Sequence, residues 1–283
     1  MPELPEVEVL VRHLRPLIRG KTIREVLVRR KKVLAPTTVA RIQKTLRGAK
    51  FIELTRRGKY LIFRLRPKNR RADFLLLGHL GMTGRMFFAR KNEPLPKHAA
   101  VVLDLGSKNY IYEDTRYFGR FTLDLSSVTK LGPEPLGEEF SASGFGCALK
   151  KSRQPIKVKL LDQTLVAGVG NIYASEALFR AGISPRRAAK QLTVAQIEKL
   201  WLAIREILTE AIACGSTLPL NFTAGKSDGL FYFGHAAGVP DFYVERLKVY
   251  DRAGQPCVHC GFRIRRIVQA ARSTFFCPRC QKN

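Results

Sequence analysis

Leu131-Gly132-Pro133-Glu134-Pro135-Leu136-Gly137 divides this 283-residue chain into a strand-rich part and a helical part. Two prolines and two glycines in seven residues interrupt any regular element. Toward the N-terminus, short runs rich in Val, Ile, Phe and Leu predict strands at Ile23–Val28, Phe51–Leu54, Tyr60–Leu65, Phe74–Gly78, Val101–Leu105, Tyr110–Glu113 and Phe121–Leu125. Their separators, such as Arg56-Arg57-Gly58-Lys59 and Gly106-Ser107-Lys108-Asn109, read as turns. A β-sandwich or barrel follows from that spacing, flanked by a helix over 4–19 that Gly20 ends and a second over Val39–Leu46.

Toward the C-terminus the period changes. Helices are predicted over Gly144–Leu149, Pro155–Leu161, Ile172–Ala181 and Thr193–Ala213. Thr193 and Gln196 form a capping box for the last, whose apolar face makes Trp201 a core residue. Val166-Ala167-Gly168-Val169-Gly170-Asn171 puts two glycines before a helix start, where free backbone N–H groups make an anion seat suited to phosphate. Residues 218–244 alternate glycines with aromatics and suit a mobile lid, a base-stacking surface or a loop packed on the core. The fold class is therefore α+β, with domains expected at 1–131, 132–244 and 245–283.

Cys257-x2-Cys260 and Cys277-x2-Cys280 stand sixteen residues apart. Two such pairs predict a four-thiolate zinc site on two hairpins, holding one structural ion because no ligand position is left for water. Paired disulfides are the alternative, disfavoured in a cytoplasmic chain. His259 reads as exposed, and Cys147 and Cys214 read as buried thiols. Arg263, Arg265, Arg266, Arg272 and Arg279 make this small unit strongly basic.

The first eight residues, Met1-Pro2-Glu3-Leu4-Pro5-Glu6-Val7-Glu8, carry two compatible readings. One is a helix start, with Pro5 in the first turn and Glu6 and Glu8 at the positive end of the dipole. The other is chemical. Removal of Met1 would expose a secondary amine at Pro2, close to Glu3 and Glu6. An α-amine titrates near 8 against about 10.4 for a lysine, so roughly a fifth of it is a free nucleophile near pH 7.4.

Fifty Lys+Arg against 23 Asp+Glu give a net charge of +27. A generally basic proteome would explain part of that excess; a polyanionic partner, nucleic acid above all, explains it better. No apolar run approaches a membrane span and no basic amphipathic helix stands out, so no membrane partner is expected. The N-terminus lacks a secretory pattern, and a cytoplasmic monomer is the expectation.

Further motifs complete the set: Arg57-Gly58-Lys59-Tyr60-Leu61, His79-Leu80-Gly81-Met82-Thr83-Gly84, and a run from Leu161-Asp162-Gln163 through Asn171-Ile172-Tyr173-Ala174-Ser175-Glu176. With the terminus, the divider and the four-cysteine finger, they resemble the bacterial formamidopyrimidine-DNA glycosylases, repair enzymes that act on oxidised purines, over nearly the whole chain. The resemblance implies an N-terminal β-sandwich, then a helix-two-turns-helix domain with a zinc finger, and damaged double-stranded DNA in the cleft between them. It implies Pro2 as the nucleophile at C1′, Glu3 as the acid at the sugar ring, Glu6 ordering the site and Lys59 on a phosphate beside the lesion. Met82, Arg116 and Phe118 would fill the gap left by a flipped-out base. By residue type alone, Met82 and Phe118 would be core and Arg116 a solvated charge. Asn171 and Arg272 match phosphate clamps, and Lys157 a basic position near the lesion. Tyr117 stands where the family usually has a second basic residue, and the loop after Asp228-Gly229 is longer than usual, so that Leu230–Lys248 does not align with the family, which leaves lesion preference open. An endonuclease VIII-type enzyme for oxidised pyrimidines, a damage-binding protein without chemistry and a zinc-containing RNA-binding protein are the other classes; the Pro2-Glu3 pair and Lys59 argue against the last two.

Overall fold

The structure is a computed structural model that describes residues 2–68, 72–216 and 246–282. The aromatic loop read over 218–244 lies outside the described residues. The chain forms two compact units: the first holds Pro2 and Glu6–Thr129, the second Glu3–Pro5, Lys130–Ser216 and 246–282. Three residues next to the N-terminus thus belong with the helical half of the chain.

Most of α1 (Leu4–Ile18) lies in the first unit, from Glu6 on; its Val7, Leu10, Val11, Leu14 and Ile18 fall on one face and are fully buried. Gly20, at φ +78°, takes the left-handed turn that ends it. The elements β1 (Glu25–Val28), α2 (Val39–Leu46), β2 (Lys50–Arg57), β3 (Tyr60–Arg66), β4 (Phe74–His79), β5 (Arg85–Arg90), β6 (Ala99–Asp104), β7 (Lys108–Glu113) and β8 (Arg120–Thr122) follow, closed by a short α3 (Ser126–Thr129). The strands make two antiparallel sheets, ordered β1-β6-β7-β5 and β2-β3-β4-β8. Alternate residues Leu61, Phe63 and Leu65 of β3 point into the core. There Phe63 meets Phe51, Phe121 and, from the other sheet, Tyr110 edge-on, at ring separations of 5.9, 6.2 and 6.1 Å. The expected sandwich is present, with one more strand than the sequence suggests. The additional strand, β5, is an edge strand in which only Met86 is fully buried, so its apolar period is too short to read.

In the second unit the divider 131–137 lies against 163–167, with Gly132 N–H donating to the Gln163 carbonyl and Ala167 N–H to that of Pro133. The helices are α4 (Ala142–Lys150), α5 (Ile156–Leu160), α6 (Asn171–Arg180) and α7 (Val194–Ser216). The capping box is formed: Thr193 N–H donates to Gln196 Oε1 at 3.0 Å and Gln196 N–H to Thr193 Oγ1 at 3.2 Å, worth about 1 kcal/mol. Trp201 is at the rim of the core, half-buried, because its indole N–H donates to the Phe140 carbonyl at 2.7 Å and Arg205 covers its ring. Cys147 and Cys214 are not buried thiols either. Cys147 is exposed on α4, and Cys214 is half-buried and accepts from Arg246 Nη1 at 2.6 Å.

The finger contains β9 (Arg265–Gln269) and β10 (Arg272–Phe276), an antiparallel hairpin turned by Ala270 and Ala271, both at positive φ. Only this one is a regular hairpin; the first cysteine pair sits in a turn closed by the single Pro256–Arg263 bridge. Phe179 of α6 packs with Val249, Ile264 and Phe275 in the finger's small core. Among the described residues, no helix is long and apolar enough to cross a membrane.

Candidate functional site

The N-terminal segment is fastened to the start of α6. Leu4 N–H donates to the Gly168 carbonyl at 3.1 Å. The Glu3 carboxylate, 1% exposed, accepts from Ile172 N–H at 2.9 Å and Tyr173 N–H at 3.4 Å. The helix start read as an anion seat is one, but its anion is the chain's own Glu3. Both glycines before it have a physical reason. A Cβ on Gly168, which is at φ +88°, would come within 2.6 Å of the Leu4 side chain, and one on Gly170 would collide with the Glu3 carboxyl group. Pro2, also buried, is covalently next to this anchored carboxylate.

Behind the seat lies Lys157 of α5, fully buried rather than on the surface. Its Nζ donates to the Asn171 carbonyl at 2.7 Å, to Asn171 Oδ1 at 2.8 Å and to Ser175 Oγ at 2.8 Å. Burial lowers its pKa to about 7, against the pull of Glu3, which favours the charged form. This ammonium is engaged inside the protein, bonded to both the carbonyl and the side-chain oxygen of Asn171. Asn171 Nδ2 donates to the Ser273 carbonyl at 2.9 Å, tying α6 to β10 one residue from the exposed Arg272. The sequence reading assigned no role to Glu176, which accepts from the N–H groups of Lys248, Val249 and Tyr250 at 2.9, 3.0 and 2.8 Å. Burial raises its pKa while those three donors hold it down.

The cysteines converge. Their four sulfurs lie within 4.8 Å of one another, with Cys257–Cys280 at 3.8 Å and Cys260–Cys277 at 3.5 Å. Zinc bonded tetrahedrally at about 2.3 Å requires sulfurs about 3.8 Å apart, so the residues fit the ion. The Phe262 N–H donates to Cys260, and those of Arg279 and Cys280 donate to Cys277, the support that thiolate ligands need. The finger holds one structural zinc ion. His259 is exposed and stacks on Phe179, away from any ligand role.

In the first unit, Lys59 sits in the two-residue turn between β2 and β3, after Gly58 at φ +54°. A chain of contacts sets that turn: Glu8 on α1 binds Arg56 Nε at 2.8 Å, and Arg56 Nη1 donates to the Gly58 carbonyl at 3.0 Å. Glu6 is buried in the first turn of α1. His79 stays neutral: burial first, then the Lys59 charge, lowers its pKa to about 4. Its Nδ1 accepts from Gly81 N–H at 3.1 Å.

Met82 and Phe118 are 41% and 52% exposed, and Arg116 is exposed with them, so the two apolar side chains are not core. Their turns are joined by the fully buried Asp114, which accepts from Thr83 Oγ1 at 2.7 Å, Arg116 N–H at 3.2 Å and Gly119 N–H at 2.8 Å. Gly81, at φ +60°, leaves room for the close approach; a Cβ there would lie 2.6 Å from the Gly119 nitrogen. A buried carboxylate that fixes two exposed apolar side chains and a guanidinium is a device for presenting them.

A β-sandwich unit, a helical unit that anchors residues 3–5, and a four-thiolate finger define a two-unit protein of the zinc-finger type. Comparison with known proteins supplies the family. The formamidopyrimidine-DNA glycosylase N-terminal domain matches residues 1–121, the H2TH domain of the same enzymes 131–220, and the zinc finger found in FPG and IleRS 254–283. A formamidopyrimidine-DNA glycosylase of Desulfitobacterium hafniense is 43% identical, over 99% of this chain and all of the relative. The structure of Lactococcus lactis formamidopyrimidine-DNA glycosylase, non-covalently bound to DNA containing an AP site, superposes with a TM-score of 0.85 at 34% identity, over 99% of this chain and all of that one. A MutM structure in complex with DNA containing carbocyclic 8-oxo-G superposes at 0.84 with 35% identity, over the whole of both chains. The chain belongs to the formamidopyrimidine-DNA glycosylase family.

Proposed function

We propose that this glycosylase excises oxidised purines, 8-oxoguanine and formamidopyrimidines, from duplex DNA and then cuts the strand as an AP lyase. The observation that carries the reading is the Glu3 carboxylate, held by two backbone N–H groups of α6 directly beside Pro2. With Met1 removed, the Pro2 nitrogen bonds to C1′ as the glycosidic bond breaks. The bonding pair leaves with the base, which takes up a proton. The proton of the Pro2 nitrogen passes to the Glu3 carboxylate, which delivers it to the ring oxygen as the nitrogen lone pair opens the sugar, leaving an iminium between C1′ and Pro2. Loss of the 3′ phosphate by β-elimination and of the 5′ phosphate by δ-elimination follows, and water releases the amine. The structures of relatives bound to AP-site and 8-oxo-G DNA support this substrate class.

In this reading Lys59, Asn171 and Arg272 hold phosphates, Glu6 orders the site and Lys157 positions Asn171. Met82, Arg116 and Phe118 occupy the gap left by the extruded nucleotide, which their exposure on fastened turns supports. The working division is a catalytic domain at 1–131, a DNA-binding domain at 132–244 and the finger at 245–283, in a cytoplasmic monomer. Borohydride trapping on a duplex with 8-oxoguanine opposite cytosine tests it. A covalent adduct is expected, absent from a form that keeps Met1 and retained at a lower rate in Pro2→Gly, which still has an amine. An adduct on oxidised pyrimidines alone would move the specificity to the endonuclease VIII class. Tight binding without an adduct on any lesion would remove the chemistry.

A further inference from the structure

The turn that carries Arg116, Tyr117 and Phe118 is met by a second cationic segment. The Arg29 and Arg30 N–H groups both donate to the Ala100 carbonyl, at 2.9 and 3.2 Å, and the chain then enters a 3-10 turn over Lys31–Leu34. This anchors Arg30 beside Tyr117. Its Nε donates to the tyrosine hydroxyl at 3.0 Å, and its Cζ lies 5.5 Å from the ring centroid. His98 Nδ1 is 3.3 Å from the same hydroxyl. Tyr117 adopts φ +54°, a left-handed conformation that a bulky residue takes only when its surroundings hold it there. On the neighbouring ring, Phe118, Lys32 Nζ lies 6.0 Å and Arg116 Cζ 5.2 Å from the centroid.

Arg30, Lys32 and Arg116 are all exposed, and among the described residues no ion pair includes any of them. Arg64 and Arg66, by contrast, share the Asp73 carboxylate. Three cations gathered on two rings without a carboxylate repel one another unless an anion with several spaced charges joins them. Stacking on a ring also fixes a guanidinium before it binds, which lowers the ordering loss on contact.

We propose that Arg30 and Lys32 are phosphate-contact residues of the DNA interface, with Tyr117 and Phe118 as their platforms, beside the side chains that fill the gap. The inference rests on the duplex reading above. Binding of a duplex carrying an abasic-site analogue, titrated against salt, tests it with Arg30→Gln, Lys32→Gln and Tyr117→Phe. Each glutamine variant should flatten the slope of log affinity against log salt by about 0.9 and weaken binding about fivefold near 0.15 M salt. The loss should be the same on undamaged duplex, as for a backbone contact. Tyr117→Phe keeps the charge, so it should lower affinity by a smaller factor at an unchanged slope. Glutamine variants with the wild-type slope would overturn the proposal, and an unchanged affinity in Tyr117→Phe would remove the Arg30–hydroxyl contact from it. Wild-type protein that prefers structured RNA to duplex would instead sink the duplex reading itself, whatever the variants do.

Discussion

At Gly170 the backbone is extended and within reach of any residue, with φ −130°, so a substitution there acts only through its side chain. The nearest group is the Glu3 carboxyl. Gly170→Ala should therefore leave the fold intact and push Glu3 off the N–H groups of Ile172 and Tyr173. A displacement of about 1 Å lowers a rate about 10²-fold, so single-turnover base release should fall by that order while abasic-duplex affinity changes little. Base release at the wild-type rate would show that the seat of Glu3 is not needed for the chemistry. Lys157 makes a thermodynamic prediction. Its pKa is lowered from the ordinary 10.5 to about 7, chiefly by burial. Between those values the folded protein binds fewer protons than the unfolded chain, so this residue's contribution to stability rises with pH across the window and is flat below it. The slope reaches at most about 1.4 kcal/mol per pH unit. Lys157→Met should remove it, seen as a stability difference from wild type that grows from pH 7 to pH 9 in denaturant titrations. A constant difference would mean that the three oxygens around Nζ keep the ammonium charged throughout. The sequence shows a lysine at 157; its burial depends on Asn171 and Ser175, fourteen and eighteen residues on, and no local pattern announces it.

Helix α6 is the element on which the second unit converges. It seats Glu3 at its first turn, ties β10 through Asn171, takes 248–250 through Glu176 and enters the finger core through Phe179. Zinc removal should therefore be felt along its length. Binding of structural zinc is worth about 10 kcal/mol or more to a finger. Stripping the ion with a mercurial and a chelator should release protection from hydrogen exchange at 248–250 and at 272–276, and lower duplex affinity more than tenfold. The sandwich strands should keep their protection. Retained protection at 248–250 would show that Glu176 alone holds that segment. Elements with a strong period or a cap were legible: α1, α2, the capping box of α7 and the two cysteine pairs. Strand β5 was not, since Phe87 and Phe88 on either face of an edge strand look like neither alternation nor a buried run.

Over the whole molecule, the charge of +27 and the family motifs pointed to the right class, because polyanion binding and metal ligation both leave marks in composition and spacing. The motif residues were legible as a set, while the groups that hold them in place were not. Glu8 reaches Arg56 across 48 residues, Asp114 reaches Thr83 across 31 and Glu176 reaches Val249 across 73, and pairs so distant carry no periodic signal. The longest of these links is that of Glu3 to Tyr173, 170 residues apart. It sets an order of events during synthesis. Glu3 is translated well before its seat, which does not exist until α6 has been made. At about 5–20 residues per second, some 8–35 seconds separate the two. During that interval Pro2 and Glu3, buried in the finished protein, stay exposed on the nascent chain.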